Sequence, residues 1–316
     1  MKIIPYPGLE DDVRMYSEDL TPEQIDAIMG PKIQQMLSYA LPDSIEVVDI
    51  AIPGPDEGQQ IPLHILRPKG LTEPVPVVID FHGGGWVQGE AKADDSRNSQ
   101  IMASIPCLFV APDYRLSNST VHFPAPHLDA VAVYEWVIAH IGEYGGDGSR
   151  VALYGTSAGG NIAAGLQLKI RDTGLPQPTV CIFNCPALGK GDEFASKQAL
   201  GKGIGPSDLP FFQQAEYIYE PANGQPPSYY AFPAYCPDVS GLGPTAFILG
   251  EYDPLRSEAL AYACRVLDAG NPTEIHVVSG VSHAFCGNIE APLVQHTVRG
   301  IAATLRRWFG MEITAF

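Results

Sequence analysis

The sequence predicts an α/β fold, a mostly parallel sheet wrapped by helices. Two observations carry that prediction. First, short apolar runs alternate with segments of helical length. The runs lie at 75–81, 108–111, 151–154, 180–184, 245–249 and 274–278, and helices are predicted at 128–140, 161–171, 257–268 and 292–308. Strands alternating with helices give parallel strands joined by right-handed crossovers. A run as dense as 75–81 suits a strand covered on both faces. Second, the chain has 316 residues, 45% hydrophobic and 17% charged. That is enough to bury one large core, and it is a globular composition.

The elements follow in order. Residues 1–44 precede the first strand and lie outside the sheet. Thr21-Pro22-Glu23-Gln24 is a helix start, with Thr21 as cap and Gln24 three residues on. Ile25, Ile28 and Met29 then share a face, and Ile33, Met36 and Leu37 keep that spacing after Gly30-Pro31. The segment reads equally as a cap element or as packing. Residues 45–50 and 61–66, joined by Pro53-Gly54-Pro55-Asp56-Glu57-Gly58, form an antiparallel pair at one sheet edge. Residues 45–186 and 241–316 then make up the core.

Residues 187–240 break the rhythm. They hold many Gly and Pro residues and the aromatics Phe211, Phe212, Tyr217, Tyr219, Tyr229 and Tyr230. About fifty residues between two core strands is too long for a plain connection, so a cap insertion is expected here. The aromatics could line an apolar tunnel or fill the cap's own core.

The formal net charge is −17, and no basic stripe interrupts it. Nucleic acid and anionic membrane surfaces are therefore excluded as partners. The first residues lack the apolar stretch of a signal peptide, and no run reaches the length of a membrane span. A cytoplasmic protein without a membrane anchor is expected. The six cysteines, Cys107, Cys181, Cys185, Cys236, Cys264 and Cys286, read as reduced and mostly buried. No His/Cys cluster shows zinc-site spacing, so neither metal nor cofactor is expected.

Tyr154-Gly155-Thr156-Ser157-Ala158-Gly159-Gly160 lies between a strand and a helix of small residues. Such a Gly-x-Ser-x-Gly turn is tight, and glycines at its flanks let strand and helix pass closely. The serine is lifted above the sheet in strained backbone, at the positive end of the helix. A serine hydroxyl needs a base, and the base needs an orienting group. Both belong in loops after late strands, in the order serine, acid, histidine. For the acid, strand 245–249 leads into Gly250-Glu251-Tyr252-Asp253-Pro254. Asp253 is the natural choice and Glu251 its competitor. For the base, strand 274–278 leads into a loop containing His283; His64, His82, His122, His127, His140, His276 and His296 fit the order or place less well. His82-Gly83-Gly84-Gly85-Trp86 follows strand 75–81 and can turn amide N–H groups into a cavity. Gly83 and Gly84, with Ala158 after the serine, are candidate oxyanion donors. His82 reads as a tie for that loop.

Several motifs in order then carry a resemblance. They are His82-Gly83-Gly84-Gly85-Trp86, Pro112-Asp113-Tyr114-Arg115-Leu116, Phe123-Pro124-Ala125-Pro126, Gly155-Thr156-Ser157-Ala158-Gly159-Gly160-Asn161, Glu251-Tyr252-Asp253-Pro254-Leu255-Arg256 and His283. Over about residues 45–310 the chain resembles the hormone-sensitive-lipase-like esterases of the α/β-hydrolase fold, with Thr156 pointing to a Thr-containing subgroup. The resemblance implies a mainly helical cap made from residues 1–44 and 187–240. It also implies hydrolysis of small carboxylic esters, of short to medium acyl chains, by Ser157, Asp253 and His283 without a cofactor. A homodimer through the sheet edge or last helix fits the same resemblance. Tyr114 and Arg115 are expected in scaffold roles. An amide or carbamate hydrolase with the same triad, or a non-catalytic receptor on this fold, are the alternatives.

Overall fold

The computed structural model describes residues 3–190, 193–200, 219 and 228–312. Its centre is one sheet of eight strands: β1 (Ile45–Pro53), β2 (Gln60–Pro68), β3 (Val75–Phe81), β4 (Leu108–Pro112), β5 (Gly146–Thr156), β6 (Val180–Asn184), β7 (Thr245–Gly250) and β8 (Thr273–Val278). Their spatial order is β1-β2-β4-β3-β5-β6-β7-β8. β2 runs antiparallel to both β1 and β4, and every later pair is parallel. The expected α/β architecture and edge hairpin are both present.

Alternation along the strands feeds two cores. Val77, Ile79 and Phe81 point to one face, with Leu153 and Phe183. That face is covered by α4 (Ala125–His140), α5 (Ala158–Thr173) and α7 (Arg256–Asp268). Val78, Phe109, Ala152 and Tyr154 point to the other face, under α3 (Asp95–Ser104) and α8 (Pro292–Trp308). Every residue of β3 is buried, as expected of a dense apolar run covered on both faces, and its one charged residue, Asp80, is buried with it.

Two helices start earlier than their patterns suggest, at Ala125 and Ala158. α3 is absent from the sequence reading altogether. Its residues Ser96, Arg97, Asn98 and Ser99 are polar yet buried, so apolar periodicity carries no sign of it. Arg97 meets Asp80 of β3 at 2.5 Å, Asp94 at 2.9 Å and Thr156 Oγ1 at 3.0 Å. Its guanidinium lies over the Tyr154 ring, 4.2 Å from the centroid. This buried charge cluster joins α3 to the ends of the two central strands.

The N-terminal segment forms α1 (Glu10–Ser17) and α2 (Pro22–Leu37). Thr21 and Gln24 close a reciprocal capping box at the start of α2. The helix continues through Gly30-Pro31, so the apolar spacing on either side belongs to one element. The segment lies across the late loops of the sheet. Ile4 N–H donates to Tyr252 Oη, Tyr6 N–H to Gly280 O, and Ser282 Oγ to Asp12 O.

Within 187–240, α6 (Ala195–Leu200) is described. It grips the loop after β7: Ser196 Oγ donates to Pro254 O at 2.6 Å, and Lys197 pairs with buried Glu258 at 2.9 Å. Phe211, Phe212 and Tyr217 lie outside the described residues. Tyr219 is buried, while Tyr229 and Tyr230 both donate to Asp172.

Candidate active site

The carboxyl ends of β3, β5, β7 and β8 meet along one edge of the sheet, where open α/β sheets hold their sites. β5 ends at Thr156, and α5 begins at Ala158. Ser157 between them has φ 57° and ψ −116°, a strained conformation for a residue with a side chain. The flanks show why glycine is needed. A Cβ on Gly155 would sit 2.2 Å from Gly159 O, and one on Gly159 would sit 1.9 Å from Phe81 O. Ser157 N–H donates to Asn184 O at 2.9 Å, and Ser157 O accepts from Asn161 and Ala187 N–H.

The late loops bring the two partners. His283 Nε2 lies 2.8 Å from Ser157 Oγ. His283 Nδ1 lies 3.1 and 3.0 Å from the two carboxylate oxygens of Asp253. A carboxylate only accepts, so Nδ1 carries the proton and Nε2 accepts from the serine hydroxyl. Asp253 Oδ1 also accepts Leu255 N–H at 2.7 Å. Asp253 is fully buried, while Ser157 and His283 remain 7% and 8% exposed. The Tyr16 ring of α1 meets the His283 ring edge-on, with centroids 5.6 Å apart.

Glu251 faces elsewhere. Its Oε2 accepts Ser279 Oγ at 2.5 Å and Gly280 N–H at 2.9 Å, and these donors hold its carboxyl below the usual range. It ties the loop after β7 to the loop after β8. The sequence leaves two acids open; the geometry brings Asp253, not Glu251, to His283.

The glycine loop after β3 lies beside the serine. A Cβ on Gly83 would stand 3.3 Å from Thr156 O and 3.5 Å from Ser157 Cβ. Gly84 has φ 125°, and a Cβ there would meet Gln88 O at 1.9 Å. Among the described residues, the N–H groups of Gly83, Gly84 and Ala158 donate to no protein acceptor. His82 holds the loop from behind. Its Nδ1 lies 2.7 Å from Gly83 O, its ring stacks on Tyr114 at 4.3 Å, and Tyr114 Oη donates to His82 O. Burial pushes the His82 imidazole below its ordinary value, so it sits neutral. Arg115 pairs with Asp129 and Asp56, a scaffold position.

Two neighbours of the site have no role assigned in the sequence reading. Asn161 follows the elbow, and its side chain accepts from Trp86 Nε1 and Tyr219 Oη and donates to Ala187 O and Ala231 O. Trp86 and Tyr219 stack at 4.3 Å with 7° between planes. The elbow's Gly-Gly-Asn tripeptide was the available signal. Cys185, just past β6, is the other. Its Sγ, a carboxylate oxygen of Asp253 and a ring nitrogen of His283 lie within 4.8 Å of one another. No sequence spacing links these three. The six cysteines are free thiols, and Cys264 alone is exposed.

The sequence matches the α/β hydrolase fold family over residues 78–287. It is 31% identical to an arylesterase of Saccharolobus solfataricus over 261 residues, 81% of this chain and 83% of that one. It is 30% identical to esterase LipI of Mycobacterium tuberculosis over 270 residues, 82% of this chain and 81% of that one. Among solved structures, a bacterial heroin esterase superposes with a TM-score of 0.82 at 28% identity, covering 96% of this chain and 99% of that one. A thermostable esterase from Pseudomonas putida gives 0.82 at 26% identity, with 97% and 99% covered. The chain belongs to the α/β hydrolase fold family, among its hormone-sensitive-lipase-like esterases.

Proposed function

We propose that the chain hydrolyses small carboxylic esters of short to medium acyl chain through an acyl-enzyme on Ser157. The unbroken hydrogen-bonded path from Ser157 Oγ through His283 to Asp253 carries this reading. Ser157 Oγ attacks the ester carbonyl as His283 Nε2 takes its proton. Asp253 fixes the Nδ1–H tautomer and stabilises the imidazolium. The carbonyl oxygen becomes an anion held by the N–H groups of Gly83, Gly84 and Ala158. Backbone donors fixed in a loop and at a helix start stabilise the anion with little reorganisation during reaction. His283 then protonates the leaving alcohol. A water deprotonated by His283 attacks the acyl-enzyme, and collapse releases the acid and restores Ser157.

The buried Asp80–Arg97 pair and Asn161 support this geometry by fixing the strand ends and the start of α5. Residues 1–44 and the described part of 187–240 serve as a cap: α1 places Tyr16 against His283 and α6 grips the acid loop. No described helix is long and apolar enough to cross a membrane.

The test is hydrolysis of p-nitrophenyl esters from acetyl to palmitoyl. Activity peaking at short chains supports the reading. Activity on palmitoyl esters alone refutes the small acyl pocket, and activity on anilides but on no ester refutes ester selectivity.

A further inference from the structure

We propose that Cys185, Asp253 and His283 form a latent inhibitory site for a zinc-like divalent cation, set behind the catalytic serine. Three ligand types that suit such a cation converge here: a thiol, a carboxylate and an imidazole. Their donor atoms lie within 4.8 Å of one another, and all three residues are buried. Tetrahedral zinc bonds to sulfur at about 2.3 Å and to nitrogen or oxygen at about 2.0–2.2 Å, so small side-chain movements complete the set.

The Asp253–His283 pair is explained by catalysis, but Cys185 is not. Its backbone has φ 47°, a conformation few side-chain-bearing residues adopt. Its N–H is pinned to Ile248 O at 2.8 Å. The thiol is thereby held between the acid loop and Ala284, the residue after His283. Burial and the facing Asp253 carboxylate push the thiol well above its ordinary value. Binding of a cation to a thiol displaces its proton.

The balance closes. A divalent cation enters and Cys185 loses one proton to solvent. The His283 ring moves its own proton from Nδ1 to Nε2, leaving the Nδ1 lone pair for the cation. Thiolate and carboxylate together neutralise the charge, which a buried position demands. The ring now presents Nε2–H to Ser157 Oγ and cannot accept its proton. The site is thus occupied only in an inactive tautomer. Exposed Cys264 is the competing explanation for any effect of soft metals.

This inference rests on the proposed triad, so one readout is independent of turnover. Cadmium is titrated into Ser157→Ala protein while its ultraviolet thiolate-to-cadmium absorption is followed. The band should saturate at one equivalent. It should disappear when Cys185→Ser is added and persist when Cys264→Ala is added. In parallel, zinc should inhibit the wild-type esterase reversibly, with recovery on adding a chelator. Each variant's rate is normalised to its own metal-free rate. Cys185→Ser should raise the half-inhibiting zinc concentration by about 100-fold or more, at least the loss expected when a supporting group of a metal site is removed. An absent cadmium band, a band that survives Cys185→Ser, or a band lost with Cys264→Ala overturns the site. Equal inhibition of the wild type and Cys185→Ser overturns it too. A correct cadmium band alongside an active Ser157→Ala enzyme would keep the metal site and discard the triad.

Discussion

Replacing Asp253 with Asn separates the charge of the acid from its shape. In the wild type both carboxylate oxygens face His283 Nδ1, and Oδ1 also receives Leu255 N–H at 2.7 Å. In the variant, Leu255 N–H can only be satisfied by the amide oxygen. The amide NH2 then takes the Oδ2 position, 3.0 Å from Nδ1. Two donors cannot face each other, so the imidazole proton moves to Nε2. The ring now donates toward Ser157 Oγ and has lost the lone pair that takes the serine proton. The imidazolium formed in the transition state has also lost its counter-charge. The same change in the serine-protease triad costs about 10⁴ in kcat, equivalent to about 5.5 kcal/mol. We expect that size of loss here, with KM nearly unchanged because Asp253 is buried away from substrate. Steady-state hydrolysis of p-nitrophenyl butyrate measures it, with Glu251→Gln as the comparison. Glu251 holds Ser279 and Gly280, and a glutamine oxygen keeps one such contact, so that variant should lose only about tenfold. If Glu251→Gln loses as much as Asp253→Asn, the acid has been misassigned.

Three further perturbations follow from the same geometry. Gly84→Ala puts a Cβ 1.9 Å from Gln88 O at φ 125°, so the loop must move; kcat should fall about 10²–10³-fold, the worth of one oxyanion donor, as read by the same assay. Arg97→Met strands Asp80 in the core, and the denaturant midpoint should report a loss of about 3–5 kcal/mol. His127 is buried against Tyr219 Oη at 2.8 Å, and burial pushes its imidazole down to about 3. Between that value and the ordinary 6.5 the unfolded chain binds a proton that the native state does not. Stability therefore falls as pH drops through this window, by up to about 1.4 kcal/mol per pH unit from His127. Urea midpoints at a series of pH values should show a shallower slope for His127→Gln.

Much of this fold is legible because its central strands are buried on both faces. β3 and β5–β7 announce themselves by composition, and the glycines of the elbow and of the loop after β3 mark places where a Cβ has no room. What stays hidden is held by polar contacts across the sequence. α3 buries Ser96, Arg97, Asn98 and Ser99, with Arg97 bound to Asp80 and Thr156 and Asn98 to Asp80, so its helical face reads as surface. Glu251 and Asp253 sit two residues apart on one loop, and only the approach of the loop after β8 tells them apart. Cys185 reaches Asp253 and His283 through the neighbouring of β6, β7 and the loop after β8, which no linear spacing encodes. Asn161 likewise gains its role from Trp86, Tyr219, Ala187 and Ala231, contributed by four separate stretches.

The central claim is that Ser157 is the acylated nucleophile. Intact-protein mass spectrometry after reaction with a p-nitrophenyl alkylphosphonate, followed by peptide mapping, tests it most directly. The account predicts one phosphonyl group per chain, located on Ser157, with esterase activity lost in step. Ser157→Ala should be folded, unlabelled and inactive. Labelling at another residue, or ester turnover by Ser157→Ala protein, would contradict it.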